Sequence, residues 1–153
     1  MDATDLSILR HLLRDGRATW ADLAVELGLT APAVAQRVRR LQERGIVRHF
    51  GVWLAPDVVP ISAFVTVSVG GPAAHAVFQL EVTHLDAVQE CYQVTGDDDY
   101  LLKVRCASLT QLASLVSNVL PRMTAGGRVR STVILTTVKE SAILPLPPPE
   151  THA

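Results

Sequence analysis

The stretch at residues 19–44, TWADLAVELGLTAPAVAQRVRRLQER, limits the possible folds of this chain more than any other segment. Two runs of apolar residues at helical spacing lie on either side of Gly28. These residues are Leu23, Ala24 and Leu27 before the glycine and Val34, Val38 and Leu41 after it. Thr19, followed three residues later by Asp22, and Thr30 provide start signals for the two helices. Two helices joined by so short a turn predict a helix-turn-helix.

The second helix of this pair carries four arginines within eight residues, offset only by Glu43. At about 100° per residue, Gln36 and Arg39 point away from the apolar stripe and the other arginines flank it. Arginine can pair with guanine and neutralise phosphates, and glutamine can pair with adenine. A solvated helix face has the same pattern, but the tight turn and the small residues at the helix start favour a helix that reads DNA.

The charge is divided unevenly along the chain, although the whole protein has a net charge of -1. Residues 1–55 hold eight arginines and six acidic residues, a net charge of +2, whereas residues 56–153 have a net charge of -3. The basic character is therefore confined to the helix-turn-helix end. The first residues, MDATD, lack the features of a signal peptide, and there are only two cysteines, so we expect a cytoplasmic protein with reduced thiols.

The rest of the N-terminal part predicts a first helix at residues 2–15, capped by Asp2, and a strand or hairpin after Gly45. This run, IVRHFGVWLAP, would form a wing beside the helix-turn-helix. Arg48 and His49 on it could contact phosphate, or they could simply face solvent. Pro56 marks the start of a linker. We predict a DNA-binding domain at residues 1–55 and a linker at residues 56–60.

From residue 61 the pattern changes to strands at 61–69, 88–95, 100–106 and 128–138, with helices at 72–85 and after Ser108. The order βαββαβ predicts a ferredoxin-like domain at residues 61–142. Its sheet would have one apolar face without helices, for which a second copy of the domain is the simplest cover. Residues 143–153, with four prolines among ILPLPPPETHA, predict a flexible or extended tail.

Other kinds of site receive little support from the sequence. The five histidines show no metal-ligand spacing, so we predict no metal site, no catalytic residues and no cofactor. Cys91 and Cys106 lie on predicted strands, and we expect both to be buried. The uncharged run from Val58 to Leu80 is not predicted to span a membrane, because prolines and glycines interrupt it.

Four segments together resemble the leucine-responsive and asparagine-responsive (Lrp/AsnC, or feast/famine) transcription regulators. They are DATDLSILRHLLRDGR, ELGLTAPAVAQRVRRLQERGIV, CYQVTGDDDYLLKV and TTVKES, and the resemblance covers about residues 2 to 143. It implies an α+β fold, in which a winged helix-turn-helix precedes a βαββαβ effector-binding domain. It also implies a homodimer that assembles into tetramers or octamers, binds double-stranded DNA, and responds to an amino acid or related metabolite bound between dimers.

The resemblance also implies which residues form the two binding sites. The DNA-contact candidates are Thr30, Ala31, Ala33, Gln36, Arg37, Arg39, Arg40 and Arg44. The effector-binding candidates are Gly96, Asp97, Asp98, Asp99, Tyr100 and Thr136. Backbone N–H groups of such a loop could bind a carboxylate and its acids could bind an α-ammonium group, although the same residues would also close an ordinary β-hairpin.

Two regions differ from the usual pattern of the family. Asp98 stands where relatives often have an aromatic residue, and Thr136 and Thr137 stand where they often have glutamate, so the effector is not predicted. Two alternatives to a DNA-binding regulator remain open, namely a metabolite sensor that does not bind DNA and an enzyme similar to the sirohaem decarboxylases. The arginines of the second helix and the acidic loop argue against the enzyme.

Overall fold

The structure is a computed structural model that describes residues 1–52, 54–141 and 143–147, without the side chain of Pro56. The chain divides into two units, one of Met1–Trp53 with Lys139–Ala153 and one of Leu54–Val138. The first unit holds the helix-turn-helix and the second holds the sheet.

The first unit contains helices α1 (Ala3–Arg14), α2 (Trp20–Leu27) and α3 (Ala31–Glu43). Each begins at its predicted cap, where a side-chain oxygen accepts a hydrogen bond from the backbone N–H three residues on. The three caps are Asp2, Thr19 and Thr30. Gly28 ends α2 with a φ of 63°, and Gly45 follows α3 with a φ of 68°, a left-handed conformation that glycine adopts without strain. The predicted helix-turn-helix is confirmed.

Residues from all three helices fill the core of this unit. Ile8, Leu23 and Val34 are 0–1% exposed, and Val38 is 2% exposed. Burying each of these side chains contributes about 2 kcal/mol to folding. The sequence analysis named Leu23, Val34 and Val38 in the helix stripes, but it did not name Ile8.

The predicted wing is wrong for the described residues, since no strand forms at 46–52 or 54–60. Residue 53 lies outside the description. Phe50 and Val52 are exposed instead, and a short helix of the 3-10 type occupies Pro56–Val58. The run has strong strand propensity, but no described segment pairs with it, and a strand without a hydrogen-bonded partner is not stable.

The second unit is a four-stranded antiparallel sheet with the order β2-β3-β1-β4, covered on one face by helices. Its strands are β1 (Ile61–Val67), β2 (Val88–Gln93), β3 (Tyr100–Cys106) and β4 (Val129–Val133). Helix α4 (Pro72–Val82) follows β1, and a second helical segment connects β3 to β4. The predicted βαββαβ order is confirmed.

Most elements are shorter than predicted, and β4 differs most. It ends at Val133 instead of residue 138, because the N–H of Ile134 already bonds to Ser62, near the start of β1. Beyond that point β1 offers no further partner, and Leu135 and Val138 are 96% and 92% exposed. Helix α4 ends at Val82, three residues earlier than predicted.

The helical segment between β3 and β4 is not one continuous α-helix. Helix α5 (Leu109–Ser114) leads into a π-helical turn (Leu115–Val119) and then into α6 (Leu120–Met123). The π-helical turn ends two residues before Pro121, which has no N–H to donate. Leu120, the first residue of α6, is fully buried.

The open face of the sheet is mixed in character, which corrects the expectation of an apolar face. Strand register places Phe64, Tyr92 and Leu101 on this face, but it places Lys103 and Arg130 there too. Alternation along β3 and β4 could have placed Lys103 and Arg130 on this face, whereas a β-bulge at residues 88–90 shifts the register of β2.

The cysteine prediction is correct for one residue only. Cys106 is buried, but Cys91 is exposed, because β2 is an edge strand. Both thiols are free. Among the described residues, every helix is too short or too polar to cross a lipid bilayer.

The C-terminal tail is described only as far as Pro147, so the prediction for residues 148–153 lies outside the described part. Within the first unit, the Arg10 guanidinium donates a hydrogen bond to the backbone carbonyl of Pro147. The described residues after 133 form no regular helix or strand.

Candidate functional site

The outer surface of α3 carries most of the predicted DNA contacts. The exposed members of the set are Thr30, Gln36, Arg39, Arg40 and Arg44. Among the residues that the structure describes, Arg39, Arg40 and Arg44 form no ion pair. Three guanidinium groups therefore remain available to bind an anionic partner.

The small residues at the start of α3 are less exposed. Ala31 and Ala33 are half-buried, and Ala31 packs against the core of the first unit. The Thr30 hydroxyl accepts a hydrogen bond from the N–H of Ala33. These three residues thus stabilise the beginning of the helix. Because their side chains are small, the helix backbone can approach a DNA groove closely at this end.

Arg37 differs from the other arginines, because acidic residues of α1 already bind it. Its Nη1 atom donates hydrogen bonds to Asp2 Oδ2 at 2.6 Å and to Asp5 Oδ1 at 2.8 Å. The hydrogen bond from the backbone N–H of Asp5, together with Arg37, holds the pKa of Asp2 below its usual value. The two carboxylates raise the pKa of Arg37. The position of Arg37 is therefore fixed by its own domain.

A shallow groove of about 280 Å³ lies along this flank of the helix. Its lining residues are Asp2, Asp5, Arg37, Arg40, Leu41, Glu43 and Arg44. Three acidic and three basic side chains line this groove, so the groove as a whole has no net charge, although Arg40 and Arg44 form no ion pair with a described residue. The excess positive charge of α3 lies on the side that carries Arg39.

Residues outside α3 offer fewer candidate contacts with DNA. Arg48 and His49 are exposed beyond α3, in the run that does not form a strand. Trp20, at the start of α2, is 36% exposed. His11 and Glu26 join α1 to α2 through a contact of 2.7 Å between His11 Nδ1 and Glu26 Oε2.

In the second unit, the acidic loop after β2 contains three aspartates with different surroundings. Gly96 has a φ of 124°, which starts the turn. Asp97 is exposed, and no described residue forms an ion pair with its carboxylate. Asp99 is structural, since its Oδ2 accepts a hydrogen bond of 2.8 Å from the N–H of Val69. Of the three acids, only Asp97 has a carboxylate without an ion pair or hydrogen bond to a described residue.

Asp98 lies against two arginines from β4 and the residue before it. Arg130 donates a hydrogen bond of 2.8 Å to Asp98 Oδ2, and Arg128 lies 3.9 Å from Oδ1. The Asp98 side chain is only 12% exposed, whereas the arginines are 60% or more exposed. Arg130 holds the pKa of Asp98 below its usual value, against the opposing effect of burial. Asp98 Oδ1 has no hydrogen-bond partner among the described residues.

Tyr100 belongs to the core and not to the surface of the loop. It is 1% exposed, and its ring lies 4.7 Å from that of Phe78. Its hydroxyl lies within 2.9 Å of both His75 Nδ1 and Gln79 Nε2. The prediction that Tyr100 contacts an effector is thus at odds with its position, because it points to the helical side of the sheet.

Two further loops meet the acidic loop at this end of the sheet. The N–H of Asp99 bonds to the carbonyl of Val67, and the N–H of Gly70 bonds to the carbonyl of Thr124. A Cβ on Gly127 would lie 1.8 Å from the carbonyl oxygen of Ser68, so only glycine fits there. We call residues 68–71, 96–99 and 124–128 together the loop cluster.

The sequence analysis missed three polar residues of this region, Ser68, Arg128 and Arg130. The Ser68 hydroxyl accepts a hydrogen bond from the N–H of Arg128, whose guanidinium donates to the carbonyl of Asp97. Alternation along β4 could have placed Arg130 on the open face of the sheet. Its contact with Asp98 could not be predicted, because that contact depends on how the strands are aligned. Thr136 is exposed and lies beyond the end of β4, away from regular structure.

Comparison with known proteins agrees with this division of the chain. Residues 1–42 match the AsnC-type helix-turn-helix domain, and residues 62–144 match the Lrp/AsnC ligand binding domain. The chain is 39% identical, over 139 residues, to the HTH-type transcriptional regulator LrpA of Mycobacterium tuberculosis, which covers 90% of this chain and 91% of that protein.

Solved structures show the same similarity. A feast or famine regulatory protein from Mycobacterium tuberculosis, complexed with L-methionine, has a TM-score of 0.83 and 36% identity, covering 94% of this chain and 97% of that one. A transcriptional regulator from Neisseria meningitidis, also in complex with L-methionine, has a TM-score of 0.83 and 28% identity, covering 95% and 96%. The chain therefore belongs to the Lrp/AsnC family, and it is a DNA-binding transcription regulator with a ligand-binding domain and not an enzyme.

Proposed function

We propose that this protein binds specific DNA sequences through α3 and that an α-amino acid, bound at the loop cluster, changes its assembly or its affinity for DNA. The observation that carries the proposal is that Gln36, Arg39 and Arg40 are exposed, and form no ion pair with a described residue, on a helix with a defined cap. DNA binding is assigned to residues 1–55, effector binding and oligomerisation to residues 61–142, and the connection to residues 56–60. We place its action in the cytoplasm, as for other regulators of this family.

The contact set for DNA is Thr30, Ala31, Ala33, Gln36, Arg39, Arg40 and Arg44. Gln36 and Arg39 face outward, where they can reach base edges, and Arg40 and Arg44 are suited to phosphates. Arg37 was predicted with this set, but its pairing with Asp2 and Asp5 gives it a different role, which is argued below.

The proposed effector site uses the loop cluster. Asp98 Oδ1 takes no hydrogen bond from the described residues and is shielded from solvent, so it offers an acceptor for an ammonium group. Asp97 is a second acceptor, and the exposed guanidinium groups of Arg128 and Arg130 can bind a carboxylate. Gly96 and Asp99 shape the loop, Tyr100 supports it from the core, and Thr136 is the least supported member of the set.

L-methionine is the first effector to test, because two similar structures contain it. Relatives named as leucine-responsive regulators make leucine the second. The mixed open face of the sheet, with Phe64, Tyr92 and Leu101, is the surface that we propose for a homodimer, from which tetramers or octamers are built. Joining several α3 helices in this way raises affinity through effective concentration.

The first test measures binding of the full chain to the DNA upstream of its own gene across a salt series. We expect tight binding that weakens steeply with salt. Replacing Arg39 and Arg40 together with glutamate should abolish it, whereas Arg122→Glu, an exposed arginine of the second unit, should leave it unchanged. Salt-insensitive binding, or equal losses for both variants, would contradict the role of α3.

The second test measures binding of L-methionine and L-leucine by calorimetry. Asp98→Asn should weaken binding about tenfold or more, since it removes a charged acceptor for the ammonium group. Asp57→Asn, an exposed acid in the same unit, is the matched control and should have no effect. An unchanged affinity for Asp98→Asn would rule out the loop cluster as the effector site.

A further inference from the structure

We propose that Arg37 is a positioning residue for DNA binding. It joins the middle of α3 to the start of α1 through Asp2 and Asp5, and it leaves contact with DNA to the exposed arginines of α3. This inference rests on the proposed function, because it concerns how α3 is presented to DNA.

The geometry of the group is that of a clamp between two helices. A single atom, Arg37 Nη1, donates to both carboxylates, at 2.6 Å and 2.8 Å. The Arg37 side chain is 30% exposed and that of Asp5 only 13%, so solvent screens the pair less than it screens an ordinary surface ion pair. The two bonds connect residues 35 and 32 positions apart in the chain.

The two carboxylates are held in place before Arg37 reaches them. Asp2 caps α1 by accepting from the N–H of Asp5, and Asp5 accepts in return from the N–H of Asp2. This reciprocal capping fixes both side chains at the first turn of α1. A guanidinium bound to this rigid pair of acceptors fixes α3 against α1 at its midpoint.

The charges of the clamp argue against contact between Arg37 and phosphate. One guanidinium and two carboxylates carry a net charge of -1, which repels a phosphate. Arg39 and Arg40 are exposed and have no such partners among the described residues. DNA that approaches α3 therefore gains more from Arg39 and Arg40 than from Arg37.

Affinity for DNA depends on Arg37 through the fraction of molecules in which α3 is correctly placed. When that fraction falls, the apparent dissociation constant rises in proportion. Loss of a partly shielded ion pair lowers such a fraction by up to about fivefold. The number of phosphates that the protein neutralises stays the same, and so does the salt dependence of binding.

Asp5→Asn distinguishes positioning of α3 from contact of Arg37 with phosphate, because the two roles predict opposite changes in DNA affinity. Asparagine keeps an oxygen that can accept from the N–H of Asp2, but it removes the charge that holds Arg37. If Arg37 positions α3, Asp5→Asn weakens DNA binding by up to about fivefold. If Arg37 contacts phosphate, Asp5→Asn releases it and removes a repulsive charge, so that binding becomes tighter.

The experiment measures fluorescence anisotropy of the full chain with the DNA upstream of its own gene, from low to high salt. Arg37→Gln should weaken binding with an unchanged slope against salt, whereas Arg39→Gln should reduce that slope by about one. The double variant Asp5→Asn/Arg37→Gln should bind no more weakly than either single variant, since both break the same clamp. Glu43→Gln removes an acid from the same helix without touching the clamp, and it should strengthen binding slightly.

The outcomes separate this inference from the proposed function. Unchanged or tighter binding by Asp5→Asn, or a slope reduced by Arg37→Gln, would overturn the positioning role while DNA binding by the wild type stands. Failure of the wild type to bind this DNA would overturn the proposed function and this inference with it. If Arg37→Gln does not fold, as judged by circular dichroism, the other two variants still test the positioning role. It predicts weaker DNA binding for Asp5→Asn and slightly stronger binding for Glu43→Gln, whereas phosphate contact by Arg37 predicts tighter binding for Asp5→Asn.

Discussion

Each unit of the protein contains an arginine–aspartate pair at its candidate site, and the two pairs differ in how far the arginine is shielded. In the first unit, the Arg37 side chain is 30% exposed, and its acids Asp2 and Asp5 are 54% and 13% exposed. In the second, the acid is shielded, with Asp98 12% exposed and Arg130 60% exposed. A shielded cation holds helices together, whereas exposed cations around a shielded acid leave charge available to a ligand.

The two regions also differ in what fixes their backbone. Helix α3 is fixed by local features, a threonine cap and a following glycine. The loop cluster is fixed by contacts between backbone segments that are far apart in the chain, such as Gly127 against Ser68. The second region should therefore be more sensitive to a single added methyl group, and the following changes test this difference.

The largest effect is expected for Gly127→Ala. Its Cβ would lie 1.8 Å from the carbonyl oxygen of Ser68, so the backbone must move and folding should lose about 3 kcal/mol. Urea unfolding measures this loss. Gly16→Ala, whose Cβ would lie 3.8 Å from its nearest neighbour, is the control and should change stability little. Equal effects of the two changes would contradict the tight packing of the loop cluster.

The next effect is expected for Tyr100→Phe, which removes the hydroxyl that His75 and Gln79 contact. Leaving these groups without a partner should cost about 1.5 kcal/mol. The control is Tyr92→Phe, because the Tyr92 side chain is 53% exposed and surface changes cost about 0.5 kcal/mol or less. If thermal unfolding shows no difference between the two variants, the hydroxyl of Tyr100 does not support the loop.

A smaller effect is expected for Thr30→Ala, which removes the cap of α3. Typical losses for such a change are about 1 kcal/mol. Thr110→Ala, in the exposed first turn of α5, is a matched threonine that does not cap a helix, and it should be neutral. A loss for Thr30→Ala as large as that for Gly127→Ala would remove the proposed difference between the two regions.

The smallest effects concern the titration of the two acids, measured by carbon NMR. Arg130→Gln should raise the pKa of Asp98 more than Arg37→Gln raises that of Asp2. Arg130 is the main cause of the lowered pKa of Asp98, whereas for Asp2 the backbone N–H of Asp5 is the main cause. A larger rise in the pKa of Asp2 than in that of Asp98 would contradict this difference between the two pairs.

Both lowered pKa values have the same consequence for stability. An aspartate whose pKa is lower in the folded state stabilises the fold above the unfolded-state pKa of about 3.9. That contribution is lost as the pH falls through the folded-state pKa, below the ordinary value of 3.8. Between about pH 5 and pH 8 neither pair should change the free energy of unfolding.

The helix-turn-helix could be predicted almost residue by residue, since caps, glycines and apolar spacing are local signals. Asp2, Thr19 and Thr30 were identified from the sequence because a cap needs only the residues beside it. The order of strands and helices in the second unit was predicted for the same reason. The wing was wrong, because a strand depends on a partner that its own sequence does not reveal.

The site residues also divide into those whose setting follows from the local sequence and those whose setting depends on distant segments. The exposure of Gln36 and Arg39 follows from helical periodicity and was predicted. The pairing of Arg37 with α1 was not, and neither were the contacts of Asp98 with Arg130 or the burial of Tyr100. Each of these depends on the register of strands or the packing of helices that are distant in the chain.

The sequence by itself determined where the helices begin, which face of α3 is basic and in which order the elements follow. These properties arise within one or two helical turns, so nearby residues are sufficient. Only the tertiary structure decided which of four arginines is held by acids and which of three aspartates is shielded, because charges pair according to distance in space. The difference between a clamp that positions a helix and a loop that can bind a ligand is therefore set by packing.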